Sequence, residues 1–284
     1  MYSSRTKKRA AHALLAALLL LASCSTHPSN TMPDVTGRIL EDSSQDWGRI
    51  TIAEQHCVLV NNVWNSAAAG GALRQEVFVE EAAGKRIPGW RWSSPWHFLP
   101  RVVSQPQLVC GDKPWDAPSG LRTDFPFQAG SKHLTAGFKT LIRASGVYNM
   151  TFTMWGVSSL PPSRSTISHE IMIWTLNNGQ VPAGSAYGAV DVNGTTYDVY
   201  VERKHADASG ANANVWMYVA FVARTPVLSG PLGLDAFIAY LLQQALLTKD
   251  HFITSVELGN EVSQGFGTVE LHNFSLIVAD MGKP

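Results

Sequence analysis

Between Trp47 and Val278 the chain is a succession of short runs rich in β-branched and aromatic residues, each cut off by Gly, Pro, Asn or Asp. Residues 148–155, 170–174, 197–202 and 215–223 are examples, and each reads as a strand. The exception is 234–246, where Leu234, Phe237, Ile238, Leu241, Leu242 and Ala245 recur at helical spacing behind the breaker Ser229-Gly230-Pro231, with Asp235 in the first turn. Roughly 230 residues without a second linker or internal repeat suffice for one large core. The expected fold is all-β: a two-sheet jelly-roll sandwich with a concave groove and one packed α-helix.

The N-terminus is of a different kind. A basic stretch with Arg5, Lys7, Lys8 and Arg9 precedes the apolar run 13–22, which is too short to remain in a bilayer and reads as a secretory signal. The run ends in Leu21-Ala22-Ser23-Cys24, which resembles the bacterial lipobox, where the cysteine after the cleavage point carries the lipid. The expected organisation is a lipoprotein signal peptide over 1–23, a lipidated Cys24 with a flexible tether over 24–45, and one folded domain over 46–284. The tether is assigned on its Ser, Thr, Pro and Asp content. Ser25 after the cysteine resembles sorting to the outer membrane, so an exported envelope lipoprotein, held to the membrane through Cys24, is expected.

Losing the four leader cations from 22 leaves 18 basic against 22 acidic side chains. A mildly acidic chain without a basic cluster does not suit nucleic acid, which is gripped through its phosphates. An uncharged polymer suits it better. Cys57 and Cys110 remain, and an oxidising envelope would allow them to bridge if their Cβ atoms face each other, which the sequence leaves open.

Two segments carry candidate chemistry. In Glu170-Ile171-Met172-Ile173-Trp174, alternation puts Glu170, Met172 and Trp174 on one face, so a carboxylate shares its surface with a flat ring able to stack on a sugar. In Ser255-Val256-Glu257-Leu258-Gly259-Asn260-Glu261, Glu257, Gly259 and Glu261 share a face, and two carboxylates compete for one role. Glu261 precedes a glycine-bearing stretch, 262–267, expected as a cleft-rim loop. Retaining glycoside hydrolysis needs two carboxyls about 5–5.5 Å apart, which glutamates on adjacent inner strands would supply. Nine tryptophans are many for this length; about half are expected in the core and the rest along the groove, with Asn61-Asn62-Val63-Trp64-Asn65 nearby.

Taken in order over roughly 200 residues, Asn61-Asn62-Val63-Trp64, Glu170-Ile171-Met172-Ile173-Trp174 and Leu258-Gly259-Asn260-Glu261 closely resemble glycoside hydrolase family 12. The resemblance implies a compact β-jelly roll with no cofactor; the nine scattered histidines offer no metal site, and a monomer is the default expectation. The resemblance also implies retaining endo-hydrolysis of a β-1,4-linked glucan, whether xyloglucan, mixed-linkage β-glucan or cellulose. By motif position Glu170 looks like the nucleophile and Glu261 like the acid/base. Trp64 resembles the family's stacking tryptophan, Asn62 its hydroxyl-binding neighbour and Met172 the methionine under the reacting sugar. Trp174 and Trp155 join this substrate-binding set, and Pro182 falls in the segment 179–184, similar to the family's loop beside the cleft. One position departs: where the family commonly has an aspartate beside the nucleophile, this chain has Thr153. Activity with a shifted pH optimum is the expectation there.

Other chemistries find little support. His169-Glu170 lacks a second histidine at 173, no Gly-x-Ser-x-Gly elbow is present, and no phosphate loop appears. The alternative from another class is a surface glucan-binding jelly roll without hydrolysis, for which a pair of glutamates has no use. A structural envelope lipoprotein would instead have to bury the aromatic face against a partner.

Overall fold

Two strands are long enough to serve both layers of the fold. They are β8 (Lys132–Val157), of 26 residues, and β15 (Val262–Asp280), of 19 residues, which pair antiparallel along most of their length. The computed structural model describes residues 32–97, 101–115 and 119–282. The expected signal peptide, Cys24 and much of the tether lie outside the described residues.

One layer runs β1 (Arg38–Ser43), β4 (Arg74–Ala82), β5 (Lys85–Ser94), β15 and the first half of β8, with β13 (Ser229–Gly233) on its other edge. The second layer starts from β2 (Arg49–Ile52), β3 (Cys57–Val60), β6 (Gln107–Gly111) and β14 (Phe252–Gly259). It continues through the second half of β8, β9 (Ile167–Asn178), β12 (Val215–Ala223), β11 (Thr195–Ala206) and β10 (Ser185–Val192). The short β7 (Phe127–Gln128) sits against β14, and only β12 and β9 run parallel among these neighbours. This is the expected two-sheet jelly roll.

Near the point where β8 changes layers, Gly146 and Gly265 face each other with φ of 121° and 98°. A Cβ on Gly146 would lie 2.1 Å from the Gln264 carbonyl oxygen, so only glycine fits. The stretch 262–267 is therefore the start of β15 rather than a rim loop, and its glycines serve strand contact. Gly267, opposite Trp92, leaves room for that ring.

Alternation fills the space between layers. Ile171 and Ile173 of β9, Met150, Phe152 and Met154 of β8, and Val256 and Leu258 of β14 are fully buried in one cluster with Trp90 and Trp92. Trp90 and Trp92 belong to that central cluster, and Trp155, Trp174 and Trp216 are buried as well, five of the nine tryptophans and in line with the expected half. Helix α1 (Leu234–Gln243) buries Leu234, Phe237, Ile238 and Leu241, with the Phe237 ring edge-on to Tyr197 and Phe221 at 5.0 and 4.9 Å. It ends before the expected residue 246, and Ala245 turns left-handed at φ 53°. The breaker before it is β13, where Pro231 is tolerated on an edge strand.

The tether boundary is corrected. Residues 38–43, inside the stretch 24–45 assigned to the tether, form β1 against β4. The residues just before it are also fixed: Gly37 N donates to Glu80 at 2.6 Å, and Thr36 Oγ1 donates to Glu80 and Glu270 at 3.2 and 3.1 Å. Polar composition concealed this because an edge strand gains its order from backbone pairing and from partners distant in sequence. The cysteines do meet, as a disulfide between the neighbouring antiparallel strands β3 and β6, with both side chains buried.

Candidate active site

Three strands of the second layer define the floor of a cleft of about 750 Å³. In register across β14, β8 and β9, one row holds Ser255, Trp155 and Glu170; the next holds Glu257, Thr153 and Met172; a third holds Gly259, Thr151 and Trp174. The row of Glu170 continues to Tyr218 of β12. The period of two thus lifts Glu170, Met172 and Trp174 to the cleft face together, as their spacing predicted.

Glu170 is half-buried and accepts a hydrogen bond from Trp216 Nε1 at 3.0 Å. Burial pushes its carboxyl above the ordinary range; the positive charges of His205 and Lys113 and the Trp216 donor pull the other way. Glu261 follows the end of β14 and is clamped twice by Asn149: Nδ2 donates to its Oε2 at 2.5 Å, and Glu261 N donates to Asn149 Oδ1 at 2.8 Å. Burial, and then the charge of Glu170, raise the Glu261 carboxyl to about 8. The rise of Glu170 is thus opposed by two cations and an indole donor, although Asp207 adds to it, while Glu261 has only the Asn149 amide to oppose its rise. That inequality is what an acid and a nucleophile sharing one site require. The two do not sit on adjacent strands as expected, since β8 runs between β9 and β14, yet both line the same cleft.

Six of the nine tryptophans line the cleft: Trp47, Trp64, Trp115, Trp155, Trp174 and Trp216. Trp115, Trp155 and Trp216 pack edge to face with centroids 5.4 to 5.8 Å apart. The indole N–H groups of Trp115, Trp155 and Trp174 find no acceptor among the described residues, which leaves donors suited to hydroxyls. Asn62 lines the cleft too, with its Oδ1 accepting from Trp64 N at 3.1 Å and fixing the turn that presents the indole. Its neighbour Asn61 is wholly buried and bonded to Gln75, a structural clamp.

Two expected contacts are not brought to the cleft surface. Met172 is fully buried beneath it, packed with Trp174 and Tyr218. Pro182 is half-buried off the wall, while Gln180, Val181 and Ala183 around it line the cleft. Thr153 is buried, accepting from Gln105 Nε2 at 3.2 Å. Among the described residues of the segment 84–107, Arg101, Val102 and Gln105 reach the cleft, while 85–94 is strand β5.

Sequence reasoning missed Asn149, Lys113, His205, Trp216 and Tyr218. For the last two a signal existed: Trp216, Tyr218 and Ala220 alternate on β12 as Glu170, Met172 and Trp174 do on the adjoining β9. His169, beside Glu170, points the other way, its Nε2 2.9 Å from the Leu246 carbonyl, and burial lowers its pKa to about 4.

A jelly roll whose concave face carries two unequal carboxyls among cleft-lining indoles defines a carbohydrate-cleaving architecture, a glycoside hydrolase. The comparisons give the family: residues 55–279 match the model of glycosyl hydrolase family 12, and the chain belongs to that family. It is 27% identical over 232 residues to endoglucanase S of Pectobacterium parmentieri, covering 81% of this chain and 84% of that protein. To a probable xyloglucan-specific endo-β-1,4-glucanase A of Aspergillus clavatus it is 23% identical over 226 residues, 77% of this chain and 84% of the other. Among solved structures, the native family 12 xyloglucanase of Bacillus licheniformis superimposes with a TM-score of 0.74 at 25% identity, covering 84% of this chain and all of that one.

Proposed function

We propose that this chain is a retaining endo-β-1,4-glucanase that works by double displacement, with Glu170 as nucleophile and Glu261 as acid/base. The observation that carries the reading is the unequal pair in one cleft: Glu170, whose rise through burial is opposed by His205, the Trp216 N–H and Lys113, and Glu261, raised to about 8 by burial and by Glu170. In the first step Glu170 attacks the anomeric carbon as Glu261 gives its proton to the leaving glycosidic oxygen. In the second, Glu261 takes a proton from water, which displaces Glu170. The indoles supply stacking platforms for a run of glucosyl units. The relatives named as endoglucanase and xyloglucan-specific glucanase support a β-1,4-glucan substrate. The lipid anchor at Cys24 and an envelope location, at the outer membrane, belong to the same proposal, as does a monomeric state.

The test is release of reducing ends from xyloglucan, barley β-glucan and carboxymethylcellulose by the chain purified from expressing cells, with the anomer of fresh product read by NMR. Early β-anomer and a fast fall in viscosity are expected. Binding to these polymers without any release would return the chain to a glucan-binding module, and early α-anomer would discard the double displacement.

The Glu261 shift fixes the basic side of the pH profile. The acid form is lost as pH rises through about 8, so kcat/KM should decline there. The same group gives stability a sign: unfolded, its carboxyl ionises in the ordinary range, so from there up to about 8 the folded state holds the extra proton. Stability therefore falls as pH rises across that window. Glu261→Gln should flatten this part of the Tm–pH curve; an unchanged slope would mean that Glu261 is not the group responsible.

A further inference from the structure

Lys113 and Glu257 form an ion pair at 3.1 Å in which the lysine side chain is 8% exposed and the glutamate 0%. Taking two such charges out of water costs several kcal/mol per ion, and a well-packed apolar pair of similar volume is often as stable or more so. A buried pair of this kind calls for a task other than holding the fold together. Its position suggests one. Glu257 sits in the floor row next to that of Glu170, opposite Thr153, and Ser255 Oγ lies 3.5 Å from its other oxygen. Lys113 lines the cleft with Glu170, and its Nζ is 5.5 Å from the ring centre of Trp155, the residue paired in register with Glu170.

We infer that Lys113 is a positioning residue for the reaction: anchored by Glu257 on the cleft floor, its ammonium opposes the protonation of Glu170 that burial favours. The inference rests on the reading of Glu170 as nucleophile. The groups facing Glu170 are His205 on β11, itself 2.7 Å from Glu202, Asp207 on the turn beyond it, Tyr218 on β12, Glu261 after β14, and Lys113 after β6. Of these, Asp207 adds its charge to burial in pushing the Glu170 proton back on, whereas Glu261, raised to about 8, and Tyr218, raised well above its usual value, are neutral on the acidic side. A lysine ammonium persists across the pH range in which an imidazole changes state, so it is the steadier counterweight. Glu257 prevents the flexible lysine stem from swinging into solvent, and the Trp155 face fixes its second side.

The experiment is the pH dependence of kcat/KM on the glucan that the parent cleaves fastest, for the full chain and its Lys113→Arg, Lys113→Met and Lys113→Met/Glu257→Met variants, with Glu170→Gln as control. Removing the cation should raise the pKa of Glu170, so the acidic limb should move up by about one pH unit in both methionine variants. Lys113→Arg should restore the parent profile. The double variant removes both charges of the pair, and it reports the shift even where the single variant folds poorly. Acidic limbs that coincide with the parent's, beside lowered Tm or kcat alone, would make the pair purely structural and overturn the inference while leaving the glucanase reading intact. Glucan hydrolysis that survives in Glu170→Gln would remove both.

Discussion

Glutamine in place of Glu170 is expected to lower the release of reducing ends by on the order of a thousandfold or more, with Tm unchanged or raised. The amide has nearly the same volume and still accepts from Trp216 Nε1, so the fold is left alone; what it lacks is the ability to bond to an anomeric carbon. Glutamine at Glu261 should cost roughly 10²- to 10⁴-fold, the usual worth of a positioned proton donor. The two variants should separate further by leaving group. An aryl glycoside whose phenol departs without a proton should recover much of its rate with Glu261→Gln and none with Glu170→Gln. Azide should speed the Glu261→Gly enzyme, because the shortened side chain opens the face from which water normally attacks, and should leave Glu170→Gln inert. Equal losses on both substrates would contradict the division of roles. A subtler consequence follows from the coupling: the charge of Glu170 is one cause of the raised Glu261 carboxyl, so the neutral Glu170→Gln variant should titrate Glu261 below about 8.

What the sequence made legible was whatever a period of two can carry. The face holding Glu170, Met172 and Trp174, the face holding Glu257, Gly259 and Glu261, and the apolar faces behind them all emerged as the alternation dictates, because a residue's side of a strand is a local property. The helix was legible for the same reason at its own period, except for its end. Pairing is not local, and the misses cluster there. Nothing in residues 132–157 announces that one strand passes through two layers, nor that β8 separates the two glutamates. Asn149, which clamps Glu261 from 112 positions away, and Lys113, which meets Glu257 from 144 positions away, become neighbours only through register. Met172 and Pro182 were misplaced in the opposite sense. Their positions in a motif were right, but depth below a surface depends on what the neighbouring strands put above it.

The disulfide should carry the largest single share of covalent stabilisation. Its two cysteines close a loop of 53 residues, for which the chain-entropy account gives about 4 kcal/mol at 25 °C. For a domain of this size that corresponds to a fall in Tm of roughly 10 °C when the bridge is removed. Alanine is the better replacement at both positions, because Cys57 and Cys110 face the central core and serine would bury two hydroxyls among apolar neighbours. The loop also contains Asn62, Trp64, Arg101 and Gln105, four residues of the cleft wall, so its loosening should raise KM for polymeric glucan more than it lowers kcat. Differential scanning calorimetry of the parent and of Cys57→Ala/Cys110→Ala, beside glucan kinetics at 25 °C, reads both effects. A Tm within a degree or two of the parent would mean that the antiparallel pairing of β3 with β6, together with the Asn61–Gln75 clamp, already holds the segment in place, and that the bridge adds no constraint the ladder lacks.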